Sequence, residues 1–457
     1  MEKFCIYKLS IILLYVLNHS LILSYIKFPV YTYHSAAPKA NETLTKIYYN
    51  YFHDNSIYTI LEIGSPNQKV VANLNFDDYP FYIYYNRCVI ESNFDINISK
   101  TYIKAPFQRL LTDIYVFTFL INETFHLPNK ETPIMTYLFS ALDYDKSEQT
   151  IVRFPYTCAD IGLKIPKANM KSYNYNFIRQ LKLSNTINDY TFFFEYNQDN
   201  DDKGELILGV EPHNYNPNKY KFEKMISIES VQIDFDLYWQ LSMNEIYFNL
   251  KNENNESTQI NTTSLNVGLN HNLNIIIAPV EFYYIIEKEF FKKKKCKENY
   301  LANNFINFDC GSLEDIKEFP TIYFLHRILR YTFEITYKDV FVEYNGRYMC
   351  KIWIDMSYRK NWRMGKPFLK KYFFSFNPDK KVIGFYVLEN NNDKNEKDKD
   401  EQVNKLEIVY IIVIIILLLA TIGLSYVLAR IFFRNKKPKI KAKLLQDSDA
   451  MPITDEN

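Results

Sequence analysis

Gly64-Ser65-Pro66-Asn67-Gln68, then Lys69-Val70-Val71-Ala72-Asn73-Leu74, then Asn75 and, six residues on, Phe81-Tyr82-Ile83 form the stretch on which the reading of the fold turns. A turn bearing Gly and Pro leads into an apolar run of strand length, and a polar residue closes it. A second stretch late in the chain answers the first. Trp362-Arg363-Met364-Gly365-Lys366-Pro367-Phe368-Leu369-Lys370-Lys371-Tyr372 runs into Phe373 to Phe376, a turn at Asn377-Pro378-Asp379, and Val382-Ile383-Gly384-Phe385. The two stretches read as the opening and closing strands of one folding unit.

Outside that unit both chain ends carry membrane-related signals. Lys3 and Lys8 precede an apolar run from Leu9 to Leu23, broken by Tyr15, Asn18, His19 and Ser20. It reads as a signal peptide over residues 1–24, cleaved near Ser24, because it is short and interrupted for a span. Residues 25–50 follow as an N-terminal segment or pro-segment. Ile408 to Ala429 is free of charge and, at 1.5 Å per residue, reaches about 33 Å, enough to cross a hydrocarbon core. Arg430, Arg434, Lys436, Lys437, Lys439, Lys441 and Lys443 come directly after it, which makes residues 430–457 a cytoplasmic tail. Residues 389–407, dominated by Asn, Asp, Glu and Lys, read as a solvated stalk. The expectation is a single-pass type I membrane protein with a lumenal or extracellular ectodomain.

The sequons agree with that topology. Asn41, Asn97, Asn122, Asn255 and Asn261 all precede the apolar span, and none follows it. Cys5 lies in the signal segment. Cys88, Cys158, Cys296, Cys310 and Cys350 lie in the ectodomain, where disulfides persist, and their odd number leaves one free or paired elsewhere. Zinc-type CxxC spacing is absent, so no metal site is expected. A net charge of +1 on 457 residues provides no basic field for nucleic acid, and 47% apolar content is enough for one large or two mid-sized cores.

The ectodomain pattern is mostly short strands. Ile57–Ile63, Val70–Leu74, Thr191–Glu195, Leu206–Leu208, Val231–Ile233, Ile246–Leu250 and Lys338–Tyr344 are rich in β-branched and aromatic residues and separated by turn residues. Two helices are predicted. Tyr173–Leu183 spaces Phe177, Ile178 and Leu181 at helical period, and Pro279–Lys295 places Phe282, Ile286 and Phe290 on one side. In the latter, acid comes early and base late, so the Lys292–Lys295 run reads as a solvated helix end.

In this order the motifs resemble those of the pepsin-like aspartic proteases, over about Tyr51 to Val387. That family opens with a Gly-Thr-Pro-x-Gln turn, a strand into Asp-Thr-Gly-Ser and a Leu-Trp-Val-like triplet. Gly64–Gln68 and Phe81–Ile83 are similar to the first and last of these. Ala159-Asp160-Ile161-Gly162-Leu163 resembles the family's Asp-Gly-Ile-Leu-Gly-Leu strand, and Lys203 to Pro212 its Gly-Glu-Leu-x-Phe-Gly-Gly segment. Tyr238 to Met243 is similar to the start of the second lobe. Cys310, Phe319 to Ile322 and Cys350 are similar to that lobe's disulfide loop. Trp362 to Phe385 resembles the closing Ile-Leu-Gly-Asp-x-Phe-Leu-Arg-x-Tyr segment. The resemblance implies an all-β bilobal fold with few short helices, an N-terminal lobe over residues 51–212, a C-terminal lobe over 213–388 and a cleft between them, with one transmembrane helix beyond.

The family's chemistry uses two aspartates that share one proton, one from each lobe. Spacing from the Gly64 turn puts the first at Asn75. Counting back from Ala278-Pro279 puts the second at Asn270. Asn keeps the shape and hydrogen bonds of Asp but takes no proton near neutral pH. Asp77 and Asp78 lie near the first position, but moving either into it breaks both flanking spacings. From Ser257 to Val280 there is no Asp or Glu at all. The Gly that follows each catalytic Asp by two residues is here Asp77 and Asn272, and no Gly occurs between Gly64 and Gly162 for the flap motif. Phe76, Asp77, Asp78, His271 and Asn272 are candidate cleft residues, with Tyr115 or Tyr102 as a flap residue.

The expected function is an inactive protease homologue whose cleft binds a peptide or protein, without a cofactor. The alternatives are an active aspartic endopeptidase, which needs a carboxylate pair in the cleft, and a β-rich surface adhesion or structural protein, which needs no cleft. No Gly-x-Ser-x-Gly, P-loop or His-Glu-x-x-His motif offers another chemistry.

Overall fold

Gly64 takes φ +81°, in the left-handed region that favours glycine, and the apolar run behind it forms a strand. The computed structural model describes residues 25–32, 57–78, 80–85, 94–104, 117–127, 133–141, 157–165, 175–197, 203–227, 239–251, 257–262, 265–301, 304–344, 346–357 and 361–388. The signal segment, Cys88, Tyr115, Asn41, Asn255, the Val231–Ile233 strand, the stalk, the apolar span and the tail lie outside the described residues. Among the described residues no helix is long and apolar enough to cross a membrane.

The first half of the chain forms strands β1 (Ile26–Thr32), β2 (Ile57–Ile63), β3 (Gln68–Asn75), β4 (Phe81–Tyr85), β5 (Ile103–Lys104), β6 (Phe117–His126), β7 (Ile134–Ala141), β8 (Ala159–Gly162), β9 (Phe192–Tyr196), β10 (Lys203–Leu208) and β11 (Tyr220–Ser227). The second half forms β12 (Gln240–Ser242), β13 (Glu245–Lys251), β14 (Ser257–Asn261), β15 (Asn266–Leu269), β16 (Ile276–Pro279), β17 (Lys297–Tyr300), β18 (Phe305–Cys310), β19 (Ile322–His326), β20 (Tyr331–Ile335), β21 (Phe341–Tyr344), β22 (Arg347–Cys350), β23 (Ile352–Asp355), β24 (Trp362–Met364), β25 (Phe373–Asn377) and β26 (Val382–Leu388). The architecture is mostly β with short helices, as a pepsin-like fold requires.

One three-strand arrangement occurs in both halves. β8 lies between β3, which it pairs in parallel (Asn75 opposite Gly162), and β4, which it pairs antiparallel (Phe81 opposite Ile161). β24 likewise lies between β15 in parallel (Leu269 opposite Met364) and β16 antiparallel (Ile276 opposite Met364). In each case a distant piece of chain inserts between two strands that are neighbours in sequence. β8, the central strand of the first arrangement, is buried throughout although it carries Asp160, and β16, which flanks β24 in the second, is buried throughout as well.

The closing stretch completes the sheet of the opening one. β25 pairs with β9, Phe376 opposite Phe192, and β26 pairs with β25 and β11. β1 pairs with β10 and β2, so Ile26–Thr32, within the stretch read as an N-terminal or pro-segment, is a strand of this sheet. Trp239, Trp353 and Trp362 are among the largest fully buried side chains.

Local details differ from the sequence reading. The first helix, α1, starts at Phe177 and ends at Leu183, because the Asn176 side chain accepts the Arg179 N–H and caps it there. The second, α2, spans Val280–Ile286 and continues as a π turn, Glu287–Phe291. Pro279 is not its first residue, because it ends β16 opposite Asp355. Lys338–Val340 is a helical turn rather than strand: Asp339 accepts from the Thr336 N–H and hydroxyl, a capping box that opens the turn before β21. The disulfide loop is also corrected. Cys310 bonds Cys296, not Cys350, which is a buried free thiol. Antiparallel β17 and β18 bring Cys296 beside Cys310, a proximity that spacing does not announce. Cys158 is disulfide-bonded as well.

Candidate functional site

Two asparagines stand at the equivalent ends of the two three-strand arrangements. Asn75 ends β3, and its side-chain oxygen accepts the Asp77 N–H at 2.9 Å. Asn270 follows β15, and its side-chain oxygen accepts the Asn272 N–H at 2.9 Å. The same residue type makes the same turn with the residue two positions on. Asn suits this position because its short side chain mimics a backbone turn.

Hydrogen bonds join the two ends. Leu163 N–H donates to the Asn75 carbonyl at 2.7 Å. The Leu163 carbonyl accepts the Trp239 indole N–H at 2.7 Å. The Trp239 carbonyl accepts the Leu269 N–H, also at 2.7 Å, one residue before Asn270, whose own N–H donates to Met364. A buried tryptophan thus ties the β8 end of the first arrangement to the β15 end of the second.

The residues after the two asparagines meet. The Phe76 and His271 rings have centroids 5.3 Å apart. His271 is buried and stacks on Phe194 at 4.3 Å, with Phe376 against it edge-on. Its Nδ1 shares a 2.6 Å hydrogen bond with the Tyr196 hydroxyl. Its Nε2 has no partner among the described residues. Burial first, and then the positive charge of Lys366, hold the imidazole well below its usual pKa of 6.5, so it is neutral. Burial also pushes the Tyr196 hydroxyl up, so it stays protonated and can donate to Nδ1. In the family's Asp-Thr-Gly stretches a threonine holds these two positions. A phenylalanine and a histidine pack against each other here instead.

The remaining predicted residues separate. Asp77 is exposed and Asp78 half-buried. The Asn272 side-chain oxygen is buried without a partner among the described residues. Tyr102 lies just before β5, 40% exposed. Of the sequons, Asn97 and Asn261 are exposed, whereas the half-buried Asn122 accepts the Thr136 hydroxyl across the β6–β7 ladder. Among the described residues no group of His, Cys, Asp or Glu could hold a metal ion.

Sequence reasoning passed over Lys366. It is buried and donates to the Thr32 hydroxyl at 2.8 Å. The family's closing segment has Leu-Gly-Asp where this chain has Met364-Gly365-Lys366, so a cation replaces a carboxylate within influence of His271. Aligning the segment residue by residue shows this exchange. Tyr196, Phe194 and Phe376 could not be found that way, because only the β9–β25 pairing brings them to His271.

Chemically, the two side-chain oxygens accept hydrogen bonds and hold their turns, but an amide neither takes a proton from water nor shares one. A buried carboxylate near this region, Asp160, lies two residues before the Gly162 that faces Asn75, and accepts from the Asn73 amide at 3.0 Å and the Tyr84 hydroxyl at 2.6 Å.

Comparison with known proteins fits this geometry. The profile of the family described as eukaryotic aspartyl protease matches residues 145–387, more than half of the chain. The matched region includes Asn270 and the closing segment, while Asn75 lies upstream of it. No curated protein matches the chain. Strand arrangement and profile match agree, and the chain belongs to the eukaryotic aspartyl protease family.

Proposed function

We propose that this chain is a pseudoprotease: a pepsin-like bilobal scaffold in which Asn75 and Asn270 occupy the two catalytic aspartate positions, retained to bind a peptide or protein in the cleft between lobes. The observation that carries this reading is the matched pair of turns, Asn75 to Asp77 and Asn270 to Asn272, at the same place in two equivalent strand arrangements. Peptide hydrolysis by this fold needs one carboxylate to activate water while its partner holds the shared proton. Two amides supply neither function, and loss of the pair removes several powers of ten in rate. Phe76 and His271 add to the argument, since the packed rings replace the small residues of an Asp-Thr-Gly loop. The sequons and the signals at both chain ends support a glycosylated type I membrane protein, anchored by residues 408–429 with the domain outside the cytoplasm.

The purified protein is incubated with a diverse peptide mixture from pH 3 to 7, with and without a pepstatin-type inhibitor. The expected result is no inhibitor-sensitive cleavage at any pH. Family membership favours one rival, an active endopeptidase. Inhibitor-sensitive turnover lost in an Asp77 or Asp160 variant would establish that rival and abolish the pseudoprotease reading.

A further inference from the structure

The lysine run after α2 is a second feature with chemistry of its own. Phe282, Ile286, Phe290 and Phe291 turn inward along α2 and its π extension. The chain then turns through Lys292–Lys295 into Cys296. Both sides of the turn are fastened. The Phe291 ring stacks on Phe308 at 3.8 Å, and Cys296 is bonded to Cys310. A run of lysines that merely solvates a helix end needs no such anchoring.

The lysines divide into two sets. Lys293 pairs with Glu289 at 2.9 Å and Lys294 with Glu318 at 2.5 Å. Lys292, Lys295 and Lys297 are exposed and have no carboxylate partner among the described residues. On the solvent side of α2 the four-residue spacing of Tyr284, Lys288 and Lys292 places them roughly in line. Tyr284 is 61% exposed, and Tyr300, at the end of β17, is 70% exposed.

We propose that this turn is a binding site for a sulfated polysaccharide. Three ammonium groups that lack a carboxylate partner among the described residues outnumber the nearby Glu287 and Glu298, the latter held by the Tyr283 and Tyr300 hydroxyls, and a row of sulfates would relieve their repulsion. Exposed tyrosines present flat, amphipathic rings on which sugar rings stack. An anionic bilayer fits less well. A membrane-surface site needs large apolar side chains pointing outward among its lysines, and the phenylalanines here point inward. The site depends neither on the reading of Asn75 and Asn270 nor on the membrane anchor.

The test titrates the purified full chain with fluorescent heparin, with chemically desulfated heparin, and with phosphatidylserine vesicles. Two variants with the same change in charge are compared: Lys292→Glu/Lys295→Glu/Lys297→Glu, and Lys69→Glu/Lys100→Glu/Lys203→Glu at exposed lysines elsewhere. Unchanged melting temperatures verify that both fold. The expected result is salt-sensitive heparin binding that needs the sulfates. The first variant loses about tenfold or more in affinity, with a log–log salt slope shallower by about 3, while the second stays within about twofold. Equal losses in both variants would reduce the effect to net charge and overturn the site. So would an absence of heparin binding, or binding to the vesicles alone.

Discussion

The imidazole of His271 lies 5.3 Å from the ring of Phe76, and these two residues follow Asn270 and Asn75 directly. Pieces of chain about 200 residues apart therefore meet through aromatic faces at the point where both candidate catalytic positions emerge. The neutral, fully enclosed histidine makes this contact sensitive to acid.

Protonating His271 requires charging a group packed among Phe76, Phe194 and Phe376, hydrogen-bonded to Tyr196 and repelled by Lys366. Its folded pKa lies well below the unfolded value near 6.5. Below that value the unfolded chain binds a proton that the native state refuses, so stability falls as pH drops from about 7, by at most about 1.4 kcal/mol per pH unit from this group. Urea unfolding at pH 7.5, 6 and 5 measures the slope. His271→Phe should flatten it, and an unchanged slope would place the acid sensitivity elsewhere.

The two asparagine turns should respond alike to truncation. Asn75→Ala or Asn270→Ala removes the acceptor for the Asp77 or Asn272 N–H and should lower stability by about 1 kcal/mol. Asn→Asp at either position keeps an acceptor and should be nearly neutral at pH 7. Chemical denaturation of the four variants checks this. A large loss for the aspartates would mean that the site rejects negative charge despite Lys366.

Gly365 leaves no room for a side chain. A Cβ there would lie 2.2 Å from the Leu273 carbonyl oxygen and 2.4 Å from that of Ile275. Gly365→Ala must push apart the backbone that carries Asn270 and β16, which should destabilise by about 3 kcal/mol or more. Gly346→Ala provides the comparison. Its backbone is left-handed at φ +72°, unlike that of Gly365, but nothing among the described residues lies within 4 Å, so only the conformational penalty remains. Melting temperatures should rank Gly365→Ala well below Gly346→Ala.

Peptide mapping without reduction should recover Cys296 linked to Cys310. Cys350, whose thiol burial pushes up to about 12, should be alkylated only after denaturation. Cys296→Ser opens a loop with a sequence separation of 14 and should reduce stability by about 3 kcal/mol. A Cys310–Cys350 bridge in the map would restore the pairing that the family resemblance implies.

Much of the fold was legible because short-range patterns carry it. The Gly64 turn, the apolar run to Leu74 and the β-branched segments name their strands locally, and the motif order names the family. The helix boundaries were less legible. Asn176 caps α1 through its side chain, Pro279 belongs to a strand by pairing with Asp355, and Thr336 with Asp339 folds a turn inside an apparent strand. Each depends on hydrogen bonds that periodicity does not register. At the candidate site, Asn75 and Asn270 could be placed by counting from neighbouring motifs, and Lys366 was open to the same method.

The family, the strand-rich class, the absence of Asp from the two counted positions and the charge pattern of the chain ends follow from residue type and spacing alone. Which residues surround those positions is set by the long-range fold. Tyr196, Phe194, Phe376 and Lys366 converge on His271 because β8 and β24 insert between strands from elsewhere and β25 joins β9. Those pairings are long-range, stabilised by burial and by ladders between distant segments, and no local pattern encodes them. The choice of Cys296 as the partner of Cys310 has the same origin, in the register of β17 against β18.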